Sequence, residues 1–135
     1  MSARPPVRGR RLTRSAEFER VYRQGRSLAN RDFVLYCFAN PASERPRLGL
    51  SVSRKVGGAV QRNHVKRLLR EAFAQVQDEL VAHDDIVVVA RPGSHELAER
   101  GGLAAVSASL NELIDRGRLR ETDSQKLAGE EIARP

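Results

Sequence analysis

Apolar residues recur with a helical period in three parts of the chain. Phe18, Val21 and Tyr22 lie three and four residues apart, as on one face of a helix. Gly25 follows shortly afterwards and is predicted to end that helix, because glycine is favoured just past a helix C-terminus. Two longer helices are predicted at residues 60–80 and 97–116, the second interrupted or restarted at its Gly-Gly pair (101–102).

Three other segments have the pattern of β-strands, at residues 31–40, 47–53 and 85–92. The first is apolar on both faces, so both of its sides should be covered. The second alternates, and its small residues Gly49, Ser51 and Ser53 leave room for something to lie against the sheet. The third is continuously apolar, as in a buried strand. The order helix, strands, helix, strand, helix predicts a single α+β domain without repeats or an internal linker.

The ends of the chain differ from this central region. Residues 1–13 are rich in Arg and Pro and are predicted to be a mobile basic arm, residues 14–116 form the domain, and residues 117–135 are expected to be a disordered polar tail. The longest apolar run, residues 86–90, is too short to cross a bilayer, and the N-terminus lacks the pattern of a secretory signal. The single cysteine, Cys37, is interpreted as a small buried hydrophobe, and a cytoplasmic location is expected.

Charge is distributed unevenly along the 135 residues, whose net charge is +7. Residues 1–76 hold 17 Lys and Arg against 5 Asp and Glu, a net charge of +12, whereas residues 77–135 hold 7 against 12, a net charge of −5. Arginine outnumbers lysine 21 to 3, which suits forked contacts with phosphates and stacking on bases. A polyanionic partner is therefore favoured over a generic solubilising charge.

The most informative segment is residues 62–70, with the sequence RNHVKRLLR. At 100° per residue, its polar positions fall within about 140° of one another and its apolar positions lie on another side of the helix. The polar positions define what is called here the cation face: Arg62, Asn63, Lys66, Arg67 and Arg70, extended by Arg54 and Lys55 just before Gly57-Gly58. A sequence selected only for helix stability would intersperse acids, since like charges at this spacing repel. Contact with the phosphates of a polyanionic partner is preferred to a merely solvated face.

The segment LGLSVSRKVGGAVQRNHVKRLLREAF, residues 48–73, resembles the signature of the bacterial ribonuclease P protein. Its hallmark is Arg-Asn-x-x-Lys-Arg-x-x-Arg opening a helix after a strand and a Gly-rich crossing. The resemblance extends to SAEFERVYRQGRS, NRDFVLY and DIVVVARP, and covers roughly residues 10–115. The Arg/Pro-rich arm and the C-terminal tail lie outside it.

This resemblance implies an αβββαβα domain of the ribosomal-protein-S5-domain-2-like type, with a left-handed β-α-β crossover. It also implies a subunit of the ribonuclease P holoenzyme, an endoribonuclease that removes the 5′ leader of precursor tRNA. The RNA subunit, with Mg²⁺, would perform the phosphodiester hydrolysis, and the protein alone would be inactive and hold no tightly bound cofactor. The implied partners are ribonuclease P RNA and precursor tRNA, with no membrane and no obligate protein partner.

Site residues follow from the resemblance position by position. Arg62, Lys66, Arg67 and Arg70 would face the catalytic RNA, and Asn63 would lie near that RNA and its metal ions. The 5′ leader would enter a cleft between the first helix and the sheet, whose aromatic residues correspond to Phe18, Tyr22 and Tyr36. Helical spacing alone does not separate a stacking platform from core packing for Phe18 and Tyr22. With the resemblance, Phe18 is expected to be partly core and both tyrosines to face the cleft.

Other functions find less support in the sequence. A protein-only nuclease needs clustered acids or histidines, but His64, His83 and His95 are scattered and Asp84-Asp85 is interpreted as a turn before a strand. A helix-turn-helix DNA-binding domain is disfavoured because the basic helix follows a strand. The alternative that stays open is a ribosomal or RNA-assembly protein that has no catalytic partner.

Overall fold

The computed structural model describes residues 15–42, 44–81 and 84–120. Within these residues the elements follow the order α, β, β, β, α, β, α, which confirms the predicted αβββαβα fold. No helix among them is long and apolar enough to cross a membrane. The elements are α1 (Ser15–Gln24), β1 (Arg26–Ala29), β2 (Phe33–Ala39), β3 (Arg47–Ser51), α2 (Ala59–Val76, continued by a 3-10 turn at Gln77–Glu79), β4 (Asp84–Ala90) and α3 (Ser94–Gly117).

The four strands form one mixed sheet in the order β1-β2-β4-β3. β2 is antiparallel to both β1 and β4, whereas β3 is parallel to β4, with Leu48 opposite Ile86. β3, α2 and β4 therefore form the β-α-β unit that the resemblance implied, and the left hand of its crossover stays a prediction. β1 was not expected as a separate strand from its residues, because it is short, mostly exposed and lies at the sheet edge.

The two faces of the sheet bury different layers. On one face, Phe33, Leu35 and Cys37 of β2 join Ile86 and Val88 of β4 in the main core, which α2 and α3 cover. The opposite face carries a smaller cluster, in which the fully buried Val21 and Val87 are flanked by partly buried residues of α1, β2 and β4. The prediction that both sides of β2 are covered is confirmed, but the β2 side chains that face α1 are only half-buried.

Two glycines have local roles in this arrangement. α1 ends before Gly25, as predicted, and a Cβ at that position would lie 2.5 Å from the carbonyl oxygen of Cys37. Only glycine therefore lets the chain leave α1 so close to β2. The predicted interruption of the last helix is confirmed at Gly102, whose φ of 59° is favoured only for glycine.

The predicted boundary of the C-terminal tail needs correction at its start. α3 extends to Gly117, Leu119 is buried, and Arg120 pairs with Leu80 in an isolated β-bridge. Arg120 also donates to Glu79 from Nε over 2.9 Å. Residues 117–120 are therefore part of the packed domain. Residues 121–135 and the predicted basic arm at 1–13 lie outside the described residues.

Candidate nucleic-acid interface

The cation face occupies the side of α2 that points away from the core. The buried residues of α2 are all apolar: Val65, Leu68, Leu69, Ala72, Phe73 and Val76. Asn63, Arg67 and Arg70 are exposed, and Arg62 and Lys66 are half-buried. The predicted division of this helix into an apolar and a basic side is confirmed. The helix that presents these cations is thus anchored by its opposite side.

Few acids lie near the cation face. The first turn of α2 contains none. Within the described parts of the chain, no ion pair joins Lys66 or Arg67 to a carboxylate. Arg67 instead has its Nη2 3.1 Å from Nδ1 of His64, and the buried Nε of Arg62 has no hydrogen-bond partner among the described residues. This positive potential is left for a partner outside the protein to neutralise.

A short turn brings Arg54 and Lys55 to the start of the same helix. The Ser53 hydroxyl accepts a hydrogen bond from the backbone N–H of Lys55 over 3.3 Å, and buried Val56 anchors the turn. Gly57 follows, where a Cβ would lie 2.9 Å from Cβ of Gln61. Both basic side chains are exposed, so they extend the basic surface beyond α2 as predicted.

The predicted aromatic residues meet between α1 and the sheet. The ring centroids of Phe18 and Tyr22 are 6.3 Å apart, and those of Tyr22 and Tyr36 are 4.8 Å apart with nearly perpendicular planes. Tyr22 is 38% exposed, whereas Phe18 and Tyr36 are half-buried. This group of three rings is called the aromatic cleft. Phe18 is partly core as expected, and Tyr36 is less exposed than Tyr22.

The floor of the aromatic cleft explains why it stays open. Tyr36 pairs with Val87 across β2 and β4, and Gly49 of β3 lies opposite Val87 on the other side. Ser51 of β3 lies opposite Val89. Residues opposite one another in a sheet point to the same face, so the glycine and the serine place little side-chain volume beside Tyr36.

Burial and hydrogen bonding act in opposite directions on the Tyr22 hydroxyl. Partial burial raises the pKa of Tyr22 above that of a free tyrosine, and its neighbour Tyr36 raises it further, while a hydrogen bond with Ser51 lowers it. The net direction is upward. Tyr22 therefore stays neutral near pH 7, with a hydroxyl that can donate a hydrogen bond and no charge to repel a phosphate.

One ionic network beside the aromatic cleft was missed. Asp84 and Asp85 are not turn residues, as the sequence had suggested, because both belong to β4 and Asp85 is fully buried. Arg47 donates to the two carboxylate oxygens of Asp85 from Nε and Nη2, each over 2.8 Å, and to Glu17 from Nη1 over 3.0 Å. Asn40 donates to Asp85 over 3.0 Å. Arg47, the first residue of β3, lies opposite Asp85, the second residue of β4, only because the two strands pair in parallel.

A second contact near the aromatic cleft was also missed. The guanidinium carbon of Arg20 lies 5.4 Å from the ring centroid of Phe38, within the range of a cation–π interaction. Arg20 is on α1 and Phe38 is two residues beyond Tyr36 on the same face of β2. The contact helps to hold α1 against the sheet.

Residues 15–42, 44–81 and 84–120 contain no group of three or more His, Cys, Asp or Glu that could hold a metal ion. His64 lies on α2, whereas His95 lies at the start of α3, where its Nε2 is 3.6 Å from Glu99. His83 is outside the described residues. The side chains that this structure does bring together are cations in one region and aromatic rings in another.

A small α+β domain with a strongly basic helix and an aromatic cleft belongs to the class of RNA-binding proteins. Comparison with known proteins specifies the class further. The family model described as Ribonuclease P matches residues 7–116. The ribonuclease P protein component of Bacillus pumilus is 45% identical over 87 residues, 64% of this chain and 73% of that protein. The corresponding protein of Brevibacillus brevis is 38% identical over 112 residues, 83% of this chain and 86% of its own length.

Solved structures give the same result for the fold. The RNase P protein of Staphylococcus aureus superposes with a TM-score of 0.75 at 35% identity, covering 83% of this chain and 98% of that one. The RNase P protein of Thermotoga maritima superposes with a TM-score of 0.70, also at 35% identity, covering 78% and 96%. The chain therefore belongs to the ribonuclease P protein family of bacterial type.

Proposed function

We propose that this chain binds a catalytic RNA through its cation face and the 5′ leader of precursor tRNA through its aromatic cleft. In this way it assists removal of the leader to give the mature tRNA 5′ end. The observation that supports this proposal most directly is the combination of two surfaces on one small domain. One surface presents clustered cations, of which Lys66 and Arg67 form no ion pair within the described residues, and the other presents aromatic rings above a floor of small side chains.

The cation face suits a structured RNA because its side chains contact phosphates. Arg54, Lys55 and the four cations of α2 together supply six positive charges. If each neutralises one phosphate, RNA affinity should fall on the order of a thousandfold between 50 and 200 mM salt. Asn63, exposed in the middle of these cations, provides a donor and an acceptor for a base edge or a 2′-hydroxyl.

The aromatic cleft suits an unpaired strand of variable sequence. Stacking on an aromatic ring is worth about 1–3 kcal/mol per base and depends little on which base is stacked. The neutral hydroxyl of Tyr22 adds a hydrogen-bonding group without repelling the phosphates between the bases. A cleft of this kind distinguishes precursor tRNA, which has a leader, from mature tRNA, which does not.

The hydrolysis itself is proposed to belong to the RNA and its Mg²⁺ ions. The cation face does not fit a metal ion by itself, because the only neutral polar group among its members is the Asn63 amide. A hydrated Mg²⁺ near Asn63 would be held by RNA phosphates. The protein would supply binding and positioning, and no residue of this chain is assigned a catalytic role.

The test is reconstitution of the full-length protein with a bacterial ribonuclease P RNA and a precursor tRNA at low Mg²⁺. The protein alone is expected to leave the substrate intact, the RNA alone to cleave it slowly, and the two together to cleave it at the mature 5′ end. Cleavage by protein that has been pretreated with ribonuclease would show that the protein itself performs the hydrolysis and would overturn its assignment to the RNA. Failure to stimulate the RNA would instead favour a ribosomal or assembly role.

A further inference from the structure

α1 contributes two rings to the aromatic cleft but has little intrinsic stability. It has 10 residues, and a helix of that length is marginal in water without tertiary contacts. Val21 is its only fully buried residue; Phe18 packs beside it half-buried, and Arg20 contacts the Phe38 ring. So small a buried contact needs further interactions to set the tilt of α1 and the position of Phe18 and Tyr22.

The edge strand β3 supplies such contacts at both of its ends. At its first residue, Arg47 reaches Glu17 in the first turn of α1 over 3.0 Å. At its last residue, the Ser51 side chain lies close enough to the Tyr22 hydroxyl to lower its pKa. Glu17 precedes Phe18 directly, and Tyr22 lies one further turn along α1. β3 therefore contacts α1 just before its first cleft ring and at its second.

Arg47 itself is fixed by the centre of the sheet. Its Nε and Nη2 form a two-pronged contact with Asp85, whose side chain is fully buried, and only Nη1 extends to Glu17. The hydrogen bonds with Asp85 raise the pKa of Arg47 above its already high value and outweigh the effect of burial, so the guanidinium remains charged. The arm that reaches α1 is thus attached to a rigid base.

A buried ion pair of this kind is a weak source of net stability, because desolvating the charges offsets most of their attraction. Its geometry is more informative than its energy, since a planar guanidinium donates to two carboxylates only in fixed directions. We propose that Arg47 is a positioning residue, which holds α1 through Glu17 at the distance from the sheet that the aromatic cleft needs to bind the leader. This inference rests on the proposed leader-binding function of the cleft.

The test uses Glu17→Gln, which removes the carboxylate of α1 that Arg47 contacts but leaves the Arg47–Asp85 contact intact. Glu19→Gln is the matched control, because Glu19 lies on the same short helix, has a side chain that is 66% exposed and, among the residues that the structure describes, pairs only with Arg23 over 3.6 Å. Both variants change the net charge of the protein equally. General electrostatic effects on RNA binding are therefore the same in both.

Holoenzyme affinity is measured for precursor tRNA with a leader of several nucleotides and for mature tRNA. Glu17→Gln is expected to weaken binding of precursor tRNA by about three- to tenfold, since small misplacements of binding groups have effects of this order or larger. Binding of mature tRNA should match that of the Glu19→Gln holoenzyme. Arg47→Lys, which keeps the charge but lacks the fork, should reproduce the loss if it folds.

A spectroscopic measurement on the free protein reports on the cleft directly. The chain contains two tyrosines and no tryptophan, and both tyrosines line the aromatic cleft. The tyrosine ring resonances in an NMR spectrum therefore come from Tyr22 and Tyr36 alone. Glu17→Gln should shift both sets of resonances, whereas Glu19→Gln should leave them close to those of the unaltered protein.

Tyr36→Ala, measured in the same binding assay, separates the two proposals. If Tyr36→Ala loses leader discrimination and Glu17→Gln keeps it with unchanged ring resonances, the positioning role of Arg47 is wrong and the cleft stands. If neither variant changes leader discrimination, the proposed function of the cleft is wrong. Equal losses for both RNAs with Glu17→Gln would also reject the positioning role.

Discussion

The cation face of α2 and the aromatic cleft beneath α1 differ in how firmly the rest of the protein holds their side chains. Lys66 and Arg67 have no carboxylate partner within the described residues. Tyr22, in contrast, contacts two other rings and a serine. The backbone beneath the cations is a stable 18-residue helix, whereas the helix above the cleft has 10 residues.

This difference leads to two kinds of recognition. Flexible, solvated cations attract phosphates over several ångströms, tolerate small displacements and are screened by salt. Stacked rings act only at contact distance, so they depend on the position of α1 and little on ionic strength. The proposed function accordingly assigns a large structured RNA to the first surface and a short unpaired leader to the second. Variants can therefore be chosen to affect one surface and spare the other.

The largest effect is expected from replacing Lys66, Arg67 and Arg70 together by Ala. Binding of the catalytic RNA should weaken about a hundredfold or more, since a contact with a charged group is worth about 1.5–3 kcal/mol. The slope of log K against log salt should decrease by about 0.7–0.9 for each lost phosphate contact. Filter binding at several salt concentrations measures both quantities. An unchanged slope in a variant with native circular dichroism would mean that these side chains are merely solvated.

A smaller effect is expected from Tyr36→Ala. The holoenzyme should lose about 1–3 kcal/mol of affinity for precursor tRNA with a leader of several nucleotides. Affinity for mature tRNA should barely change. The loss of affinity should remain specific to precursor tRNA when binding is measured at high salt.

The melting temperature of the same variant decides between cleft and core. Tyr36 is half-buried, so its truncation should lower the melting temperature less than truncation of the fully buried Leu35 beside it. Leu35→Ala is therefore the matched control. A decrease in melting temperature as large as that of Leu35→Ala, or equal losses of affinity for both RNAs, would mean that Tyr36 is a core residue and does not bind the leader.

The smallest effect concerns ionisation in the cleft. In a Tyr36→Phe variant, Tyr22 is the only tyrosine left, so absorbance near 295 nm reports its titration alone. Burial is the largest influence on Tyr22, and its pKa should therefore remain above the value of about 10 for a free tyrosine. Because the folded state favours the neutral form, this group stabilises the fold below pH 10, and the contribution is lost as pH rises through the folded-state pKa. A midpoint at or below that of the unfolded chain would contradict the burial of the hydroxyl.

The sequence predicts the basic surface better than the cleft, for a physical reason. The cation face lies on one continuous helix, so a 3.6-residue period is enough to place Asn63 among its cations. The aromatic cleft depends on contacts between Phe18, Tyr22 and Tyr36, whose segments are separate in sequence. Helical spacing placed the first two on one face, but only the family resemblance brought Tyr36 to them.

The ionic network was beyond prediction because it requires the sheet register. Arg47 and Asp85 are 38 residues apart and become neighbours only when β3 pairs in parallel with β4. Without that pairing, Asp84-Asp85 has the composition of a turn. The predicted start of the tail was wrong by four residues for a related reason. Leu119 is a lone apolar residue, and its burial depends on the packing of the domain around it.

The alternation of β2 has a consequence for how this protein can diverge between bacteria. Phe33, Leu35 and Cys37 belong to the main core, while Tyr36 and Phe38, which alternate with them, face α1. One strand therefore encodes stability and recognition in separate, interleaved positions. Substitutions on the recognition side leave the core residues in place. Under the proposed function, leader affinity can consequently change by single substitutions on this side while the main-core residues keep their positions, and a designer could retune it in the same way.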